Sequence, residues 1–267
     1  MKQNHPSLLP NGLVDLLPPQ AEGEARTIDM LMKSFAAFGY RRVKPPLVEF
    51  EESLLGAGPG QSLARQTFRM MDPVSGRMMG VRADVTAQIA RIATSRLGET
   101  PRPLRLSYAA DVLRVNGTQL RPERQFCQVG CELIGTDSIV SDVEMPLVAL
   151  KALSDAGIKN LSVDLTVPTL ITHLYDGTDT NAGQRETLAA LIEKRDRDAI
   201  AAIGTKASAM IVSLMDHGDL SKIALPHKAK ADVEKLLSVA KDLRAALDVY
   251  GLQDVQITID PLERRGF

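Results

Sequence analysis

The chain has 267 residues and a net charge of −1, and aromatic residues make up only 4% of it. Binding to DNA or tRNA usually requires a surplus of Lys and Arg, and stacking on single strands requires aromatic rings, so neither class of partner is expected. No apolar run is long enough for a signal peptide or a membrane span, which predicts a cytoplasmic protein without a membrane partner.

The N-terminal part of the chain combines a helical pattern with extended patterns. Apolar residues recur at helical spacing over 21–38, which predicts an amphipathic helix. Pro45 and Pro46 follow in an extended segment, which its prolines restrict to a sheet edge or an interface. The segments 67–71 and 77–82 flank a run of turn residues and therefore predict a hairpin.

A second hairpin is predicted in the middle of the chain. Before this hairpin, Asp84 is expected to cap the start of a helix whose apolar face extends to Leu97. Strand-like segments then run over 104–115 and 125–135, and a long polar loop joins them.

The remainder of the chain is mainly helical in pattern. Ser141 and Glu144 have the spacing of a capping box, but the nearby Pro146 predicts that the first helical turn begins later. A half-buried strand is expected over 161–167, and most of 170–250 is expected to be helical.

The second strand of the middle hairpin carries the side chains of greatest chemical interest. Alternation puts Gln128, Gly130 and Glu132 on one face, and Cys127 and Cys131 on the other, apolar face. An amide and a carboxylate with an unobstructed glycine between them can hold a ligand against the sheet, with Glu132 facing an ammonium and Gln128 fixing its orientation. The alternative is a strand with one solvent-exposed face, on which these side chains have no function.

Arg114 lies at the end of the preceding strand, where a guanidinium can form a bidentate contact with a carboxylate or phosphate. A surface arginine at a strand end is the alternative. Cys127 and Cys131 are interpreted as small core residues, because no His or Cys pair at zinc spacing accompanies them. No standard hydrolase motif is present either, and no metal or cofactor is predicted.

Five segments, in order along the chain, resemble the class II aminoacyl-tRNA synthetases and the histidyl-tRNA synthetases in particular. They are the opening P-x-G-x-x-D-x-L-P at 10–18, motif 1 with its helix before Gly39 and its strand at Pro46, the amino-acid-contacting segment at 82–86, motif 2 with its loop at 113–135, and the start of the histidine-specific element at 262–267.

Departures from the charging enzymes resemble instead their noncharging paralogues, the ATP phosphoribosyltransferase regulatory subunits. Asn116 stands where motif 2 of active synthetases has a glutamate that helps to hold ATP and the tRNA end. Asp84 and Val85 stand where Glu and Gly are expected, and R-x-D-x-T in that place resembles the paralogue. No room remains for an anticodon-binding domain, and the end at Phe267 falls inside the histidine-specific element, so a truncated version of a longer chain is expected.

This resemblance implies an α+β fold, in which helices flank a mainly antiparallel sheet and a helical insertion interrupts it. The core is expected over 1–168, the insertion over 169–250, and a truncated return to the core, with a last strand, over 251–267. The implied function is noncatalytic: to activate a short-form ATP phosphoribosyltransferase, the first enzyme of histidine biosynthesis, and to mediate its inhibition by histidine. The implied partners are that catalytic subunit and a second copy of this chain, through a dimer interface at Pro46.

A histidine-like pocket is the hypothesis for the site. Its predicted residues are Asp84, Thr86, Arg114, Gln128, Glu132 and Arg265. Two other interpretations stay open, because a fold does not fix a function. One is a fragment of the catalytic core of a histidyl-tRNA synthetase, and the other is a synthetase-like module that binds a different partner.

Overall fold

A computed structural model describes residues 9–56, 63–216 and 219–263, so the predicted pocket residue Arg265 lies outside the described residues. The chain forms two compact units. Unit 1 comprises Met1–Asp137 and Lys151–Gly157, and unit 2 comprises Ser138–Leu150 and Ile158–Phe267.

The elements of the described residues follow the predicted order. The helices are α1 (Gln20–Ala37), α2 (Glu51–Leu54), α3 (Thr86–Ser95), α4 (Ile139–Asp155), α5 (Thr169–His173), α6 (Ala182–Lys194), α7 (Arg197–Ala202), α8 (Lys206–Asp216) and α9 (His227–Val249), with short 3₁₀ helices at Ala64–Gln66 and Leu220–Lys222. The strands are β1 (Arg41–Arg42), β2 (Val48–Phe50), β3 (Arg69–Met71), β4 (Met78–Val81), β5 (Leu104–Leu113), β6 (Gln125–Ile134), β7 (Ser162–Leu165) and β8 (Gln256–Ile259).

Unit 1 is built around the long antiparallel hairpin of β5 and β6, which confirms the predicted middle hairpin. β1 pairs in parallel with the other edge of β5. One face of β5 packs against α3, and the buried residues of this core are Val85, Ile89, Ala93, Leu104, Leu106, Tyr108, Ala110 and Val112. α1 also contacts both strands of this hairpin.

The smaller sheet of unit 1 has the order β2-β4-β3 and is antiparallel throughout. β3 and β4 form the first predicted hairpin. Pro45 and Pro46 lie between β1 and β2, outside both strands, where no ladder hydrogen bond needs a backbone N–H from them.

Helix α4 begins earlier than expected. The prediction that Pro146 delays the first turn is wrong, because the helix starts at Ile139 and continues through Pro146. Ser138 lies just before this start, and its Oγ accepts from the backbone N–H of Ser141 at 3.2 Å. A proline inside a helix removes one backbone hydrogen bond, and here the helix continues despite that loss.

Unit 2 combines the helices from α5 to α9 with a parallel pair of strands, β7 and β8. The expected helical stretch over 170–250 is confirmed, as are the strands expected over 161–167 and near the C-terminus. Leu262, 2% exposed, packs in the same core as these helices. The compact units therefore place β7, β8 and Leu262 with the helices, whereas the division at residues 168 and 250 remains a prediction about family architecture. No helix in the described part of the chain is long and apolar enough to cross a membrane.

Candidate functional site

The first turn of α3 lies against the middle of β6. Gln128 Oε1 accepts from the backbone N–H of Val85 at 3.1 Å, and Gln128 Nε2 donates to Asp84 Oδ2 at 2.9 Å. Two residues further along β6, Glu132 Oε1 accepts from the hydroxyl of Thr86 at 3.0 Å. The structure thus joins four predicted pocket residues, because alternate positions of β6 face α3. We call Asp84, Thr86, Gln128 and Glu132 the α3–β6 cluster.

Asp84 uses both of its carboxylate oxygens within this cluster. Oδ2 accepts from Gln128, and Oδ1 accepts from the backbone N–H of Thr86 at 2.8 Å. The second contact engages an N–H of the first helical turn, but the N-cap residue is Val85, so the expectation that Asp84 caps this helix is wrong by one position. Because both oxygens are engaged, the orientation of the carboxylate is fixed before any ligand binds.

Tyr108 covers the glycine between the two polar side chains of β6. It lies opposite Gly130 in the hairpin register, and it is only 4% exposed. A Cβ on Gly130 would lie 2.6 Å from the hydroxyl oxygen of Tyr108. The expectation of an unobstructed glycine is therefore wrong: pairing with β5 places an aromatic ring over it. The hydroxyl of Tyr108 also donates to Glu132, so it belongs to the same network.

Electrostatics make the α3–β6 cluster receptive to a cation. Burial raises the pKa of Glu132, and the nearby carboxylate of Asp84 raises it further, whereas hydrogen bonds from Thr86 and Tyr108 lower it. Burial also raises the pKa of Tyr108 to about 12, which keeps its hydroxyl protonated as a donor. An ammonium group beside Glu132 would offset both the loss of solvation and the repulsion from Asp84.

Arg114 lies beside the cluster. Its Nε donates to the carbonyl of Ala83 at 3.1 Å, and its guanidinium lies 5.2 Å from the ring centroid of Phe126. The contact with Ala83 places the cation one residue from Asp84. Asn116, two residues beyond Arg114, is exposed, and its backbone N–H donates to Gln66 Oε1 at 3.2 Å.

The thiols and carboxylates of the described residues offer no metal site. Cys127 and Cys131 form no disulfide and are half-buried, and burial raises the pKa of Cys127. No group of three His, Cys, Asp or Glu side chains within the described ranges could hold a metal ion.

Comparison with known proteins shows which family the chain belongs to. A family model described as "Histidyl-tRNA synthetase" matches residues 12–267. A Rhodospirillum centenum protein named "ATP phosphoribosyltransferase regulatory subunit" is 50% identical over 98% of this chain and 68% of its own length. A Paramagnetospirillum magneticum protein of the same name is 47% identical over 98% of this chain and 69% of its own. The chain belongs to the ATP phosphoribosyltransferase regulatory subunit family.

The solved structures agree with this family on the fold. A Bacillus halodurans structure titled as an ATP phosphoribosyltransferase regulatory subunit/histidyl-tRNA synthetase covers 98% of this chain and 70% of its own, with a TM-score of 0.78 at 22% identity. At that identity the likeness concerns the fold alone. It confirms the predicted α+β fold of the class II synthetase type.

For this regulatory-subunit family member, sequence reasoning included Arg82 in the segment at 82–86 but missed its structural role. The Arg82 side chain links the segment at Pro46 to the middle hairpin. Arg82 is 6% exposed. Its Nε donates to the carbonyl of Asp111 at 2.5 Å, and its Nη1 donates to the carbonyls of Pro45 at 3.0 Å and Pro46 at 3.2 Å. The Pro46 carbonyl also accepts from Gln88 Nε2 at 2.8 Å. Pro46 itself is exposed, and its role in a dimer interface remains a prediction.

Tyr108 is the other residue that sequence reasoning missed. The available signal was its position: five residues before the end of β5 and on the buried, even-numbered face of the strand. Only the register of β5 against β6 shows that this ring stands over Gly130.

Proposed function

We propose that this chain is the noncatalytic regulatory subunit of a short-form ATP phosphoribosyltransferase, the first enzyme of histidine biosynthesis, and that it acts in the cytoplasm. It binds and activates the catalytic subunit and passes inhibition by histidine to it. The observation that carries the proposal is the match to relatives of that name, at 43% to 50% identity over 98% of this chain.

The motif 2 hairpin supports a role without synthetase chemistry. Asn116 has no negative charge, so it cannot replace the glutamate that the resemblance places there in charging enzymes.

The α3–β6 cluster is the proposed histidine pocket. We assign the ammonium of the ligand to Glu132 and Asp84, and its carboxylate to Arg114, while Gln128 and Thr86 hold the two carboxylates in place. Arg265, outside the described residues, completes the predicted set. A charge-assisted hydrogen bond of this kind is worth about 1.5–3 kcal/mol, which corresponds to roughly 10- to 100-fold in affinity.

The position of Tyr108 limits where the ligand can lie. Its ring fills the space over Gly130, so a ligand cannot rest on the strand backbone there. The ligand must reach Glu132 beyond the hydroxyls of Thr86 and Tyr108. The side chains of the cluster are already held by hydrogen bonds without a ligand. Binding therefore costs little free energy for ordering them.

A second copy of this chain is the other proposed partner, through the segment that contains Pro46. Pro46 and the neighbouring Leu47 are both exposed in the single chain, and Arg82 holds the backbone of Pro46 firmly from the inside. Rigid, exposed apolar residues suit an interface between subunits. We do not include DNA or tRNA among the partners, since the net charge of −1 provides no basic surplus.

The decisive experiment mixes the chain with a short-form catalytic subunit and measures phosphoribosyl-ATP formation with and without histidine. We expect the chain to raise the rate, and histidine to lower it again. A variant with Glu132→Gln should still activate, but with a weaker response to histidine. If the chain adds no activity to the catalytic subunit, the proposal fails.

The retained cluster also favours one rival, a histidyl-tRNA synthetase core, whose family model matches the chain. That function requires histidine-dependent exchange of pyrophosphate into ATP. We expect no exchange, because Asn116 leaves motif 2 without its glutamate. Exchange above the level of a boiled sample would favour the synthetase.

A further inference from the structure

Unit 2 contains a cavity that no residue of the α3–β6 cluster lines. Its volume is about 480 Å³, which is within the usual range for small-molecule pockets. Apolar walls are provided by α8, α9 and β8 through Leu214, Leu237 and Ile259. The charged groups of the lining are Arg195, Asp219 and Asp260.

Arg195 presents a cation with spare donors to this cavity. It follows the last residue of α6 in a left-handed conformation, with φ of 54°. Its Nη2 pairs with Asp260 Oδ2. Among the described residues, its Nε and Nη1 have no further hydrogen-bond partner. A guanidinium has five N–H donors in a planar fork, so those that remain suit a carboxylate.

The two carboxylates of the lining are each anchored within the chain. Asp260 Oδ1 accepts from the backbone N–H of Leu262 at 3.1 Å, and Asp219 pairs with Lys222 at 2.8 Å. A simple anion in the cavity would gain Arg195 but face both carboxylates, and a simple cation would face the guanidinium. A zwitterion with adjacent charges matches the contact between Arg195 and Asp260, where opposite charges already lie side by side.

We propose that this cavity binds a free α-amino acid with an apolar side chain, at a site separate from the proposed histidine pocket. The ligand carboxylate lies on Arg195, and its ammonium lies beside Asp260. The side chain packs against Leu214, Leu237 and Ile259. Histidine is a poorer match, because its ring nitrogens would face an apolar wall without a partner.

Methyl NMR titration of the full chain tests the proposal, with signals from Leu214 and Ile259 as reporters. L-Leucine at millimolar concentration should shift both signals. L-Leucinamide lacks the carboxylate and 4-methylpentanoate lacks the ammonium, so each should bind roughly tenfold or more weakly, since each loses one charge-assisted contact. The absence of leucine-induced shifts, or equal affinity for 4-methylpentanoate, overturns the proposal.

A pair of glycine variants distinguishes binding from folding. Arg195→Gly removes the guanidinium while placing in the left-handed position the residue that suits it, so the fold should be kept. Asn160→Gly is the matched control, because Asn160 also has φ of 54° but does not line the cavity. We expect leucine affinity to fall roughly tenfold or more in the first variant and to stay unchanged in the second. Unchanged affinity in Arg195→Gly contradicts the assigned role.

Discussion

The hydroxyl of Thr86 donates to Glu132 Oε1 at 3.0 Å, and this contact joins the first residue of α3 to β6. The same contact holds the helix on the sheet and orients a carboxylate whose pKa is raised by burial. Stability and ligand binding therefore depend on the same side chains, and substitutions at these positions should affect both.

Glu132→Gln should weaken histidine binding by roughly 10- to 100-fold, because the amide keeps an acceptor for Thr86 but loses the charge that attracts the ammonium. Isothermal titration with histidine measures this change. Glu99→Gln is the control, since Glu99 is exposed and outside the cluster, and it should bind as the native chain does. Unaltered affinity in Glu132→Gln would remove this residue from the pocket.

The same variant should change how stability depends on pH. Burial raises the pKa of Glu132 above its ordinary value of 4.5, so the folded state binds this proton more tightly than the unfolded state. The stability from this group is present in full below about pH 4.5 and is lost as the pH rises through the raised pKa. Since glutamine cannot ionise, Glu132→Gln should gain stability relative to the native chain between acid and neutral pH. Urea unfolding of both chains at acid and at neutral pH measures the difference in their free energies of unfolding. A difference that does not change with pH would contradict the prediction.

Gly130→Ala should destabilise unit 1 by about 1–3 kcal/mol, because the added methyl would lie 2.6 Å from the Tyr108 hydroxyl and the packed hairpin has little room to adjust. Urea unfolding measures the loss. Gly183→Ala in the first turn of α6 is the matched control, since its Cβ would meet only Asn181 at an ordinary 3.6 Å. That control should be neutral or slightly stabilising. Equal effects of the two substitutions would argue against the close packing of Tyr108.

Arg82→Lys should destabilise the chain by about 2 kcal/mol, because an ammonium cannot reach the carbonyls of Pro45, Pro46 and Asp111 in the planar arrangement that the guanidinium uses. Arg96→Lys keeps the same chemistry at an exposed position and should change stability little. Chemical unfolding of both variants provides the comparison, and a mild effect at Arg82 would mean that these contacts are readily replaced. If the Pro46 segment also forms the dimer interface, Arg82→Lys should weaken self-association in sedimentation experiments.

Much of the site could be predicted because strand alternation is a local property. Gln128 and Glu132 were expected on one face of β6, and both contact the start of α3. The start of α4 was not predictable in the same way. Pro146 favours a helix start when only its own backbone is considered, and the helix nevertheless includes it. Whether a helix continues through a proline depends on how far its packing offsets the lost backbone hydrogen bond, and residues distant in the sequence provide that packing.

The sequence by itself determined the order of elements and the shared face of Gln128 and Glu132, because periodicity and turn chemistry act over a few residues. The α+β class followed from the family resemblance of its motifs. Only the tertiary structure decided what stands on that face. The register of β5 against β6 places Tyr108 over Gly130, and the packing of α3 brings Asp84 and Thr86 to β6. These contacts join residues more than 20 positions apart, and a local pattern contains no information about which distant side chain fills a given space.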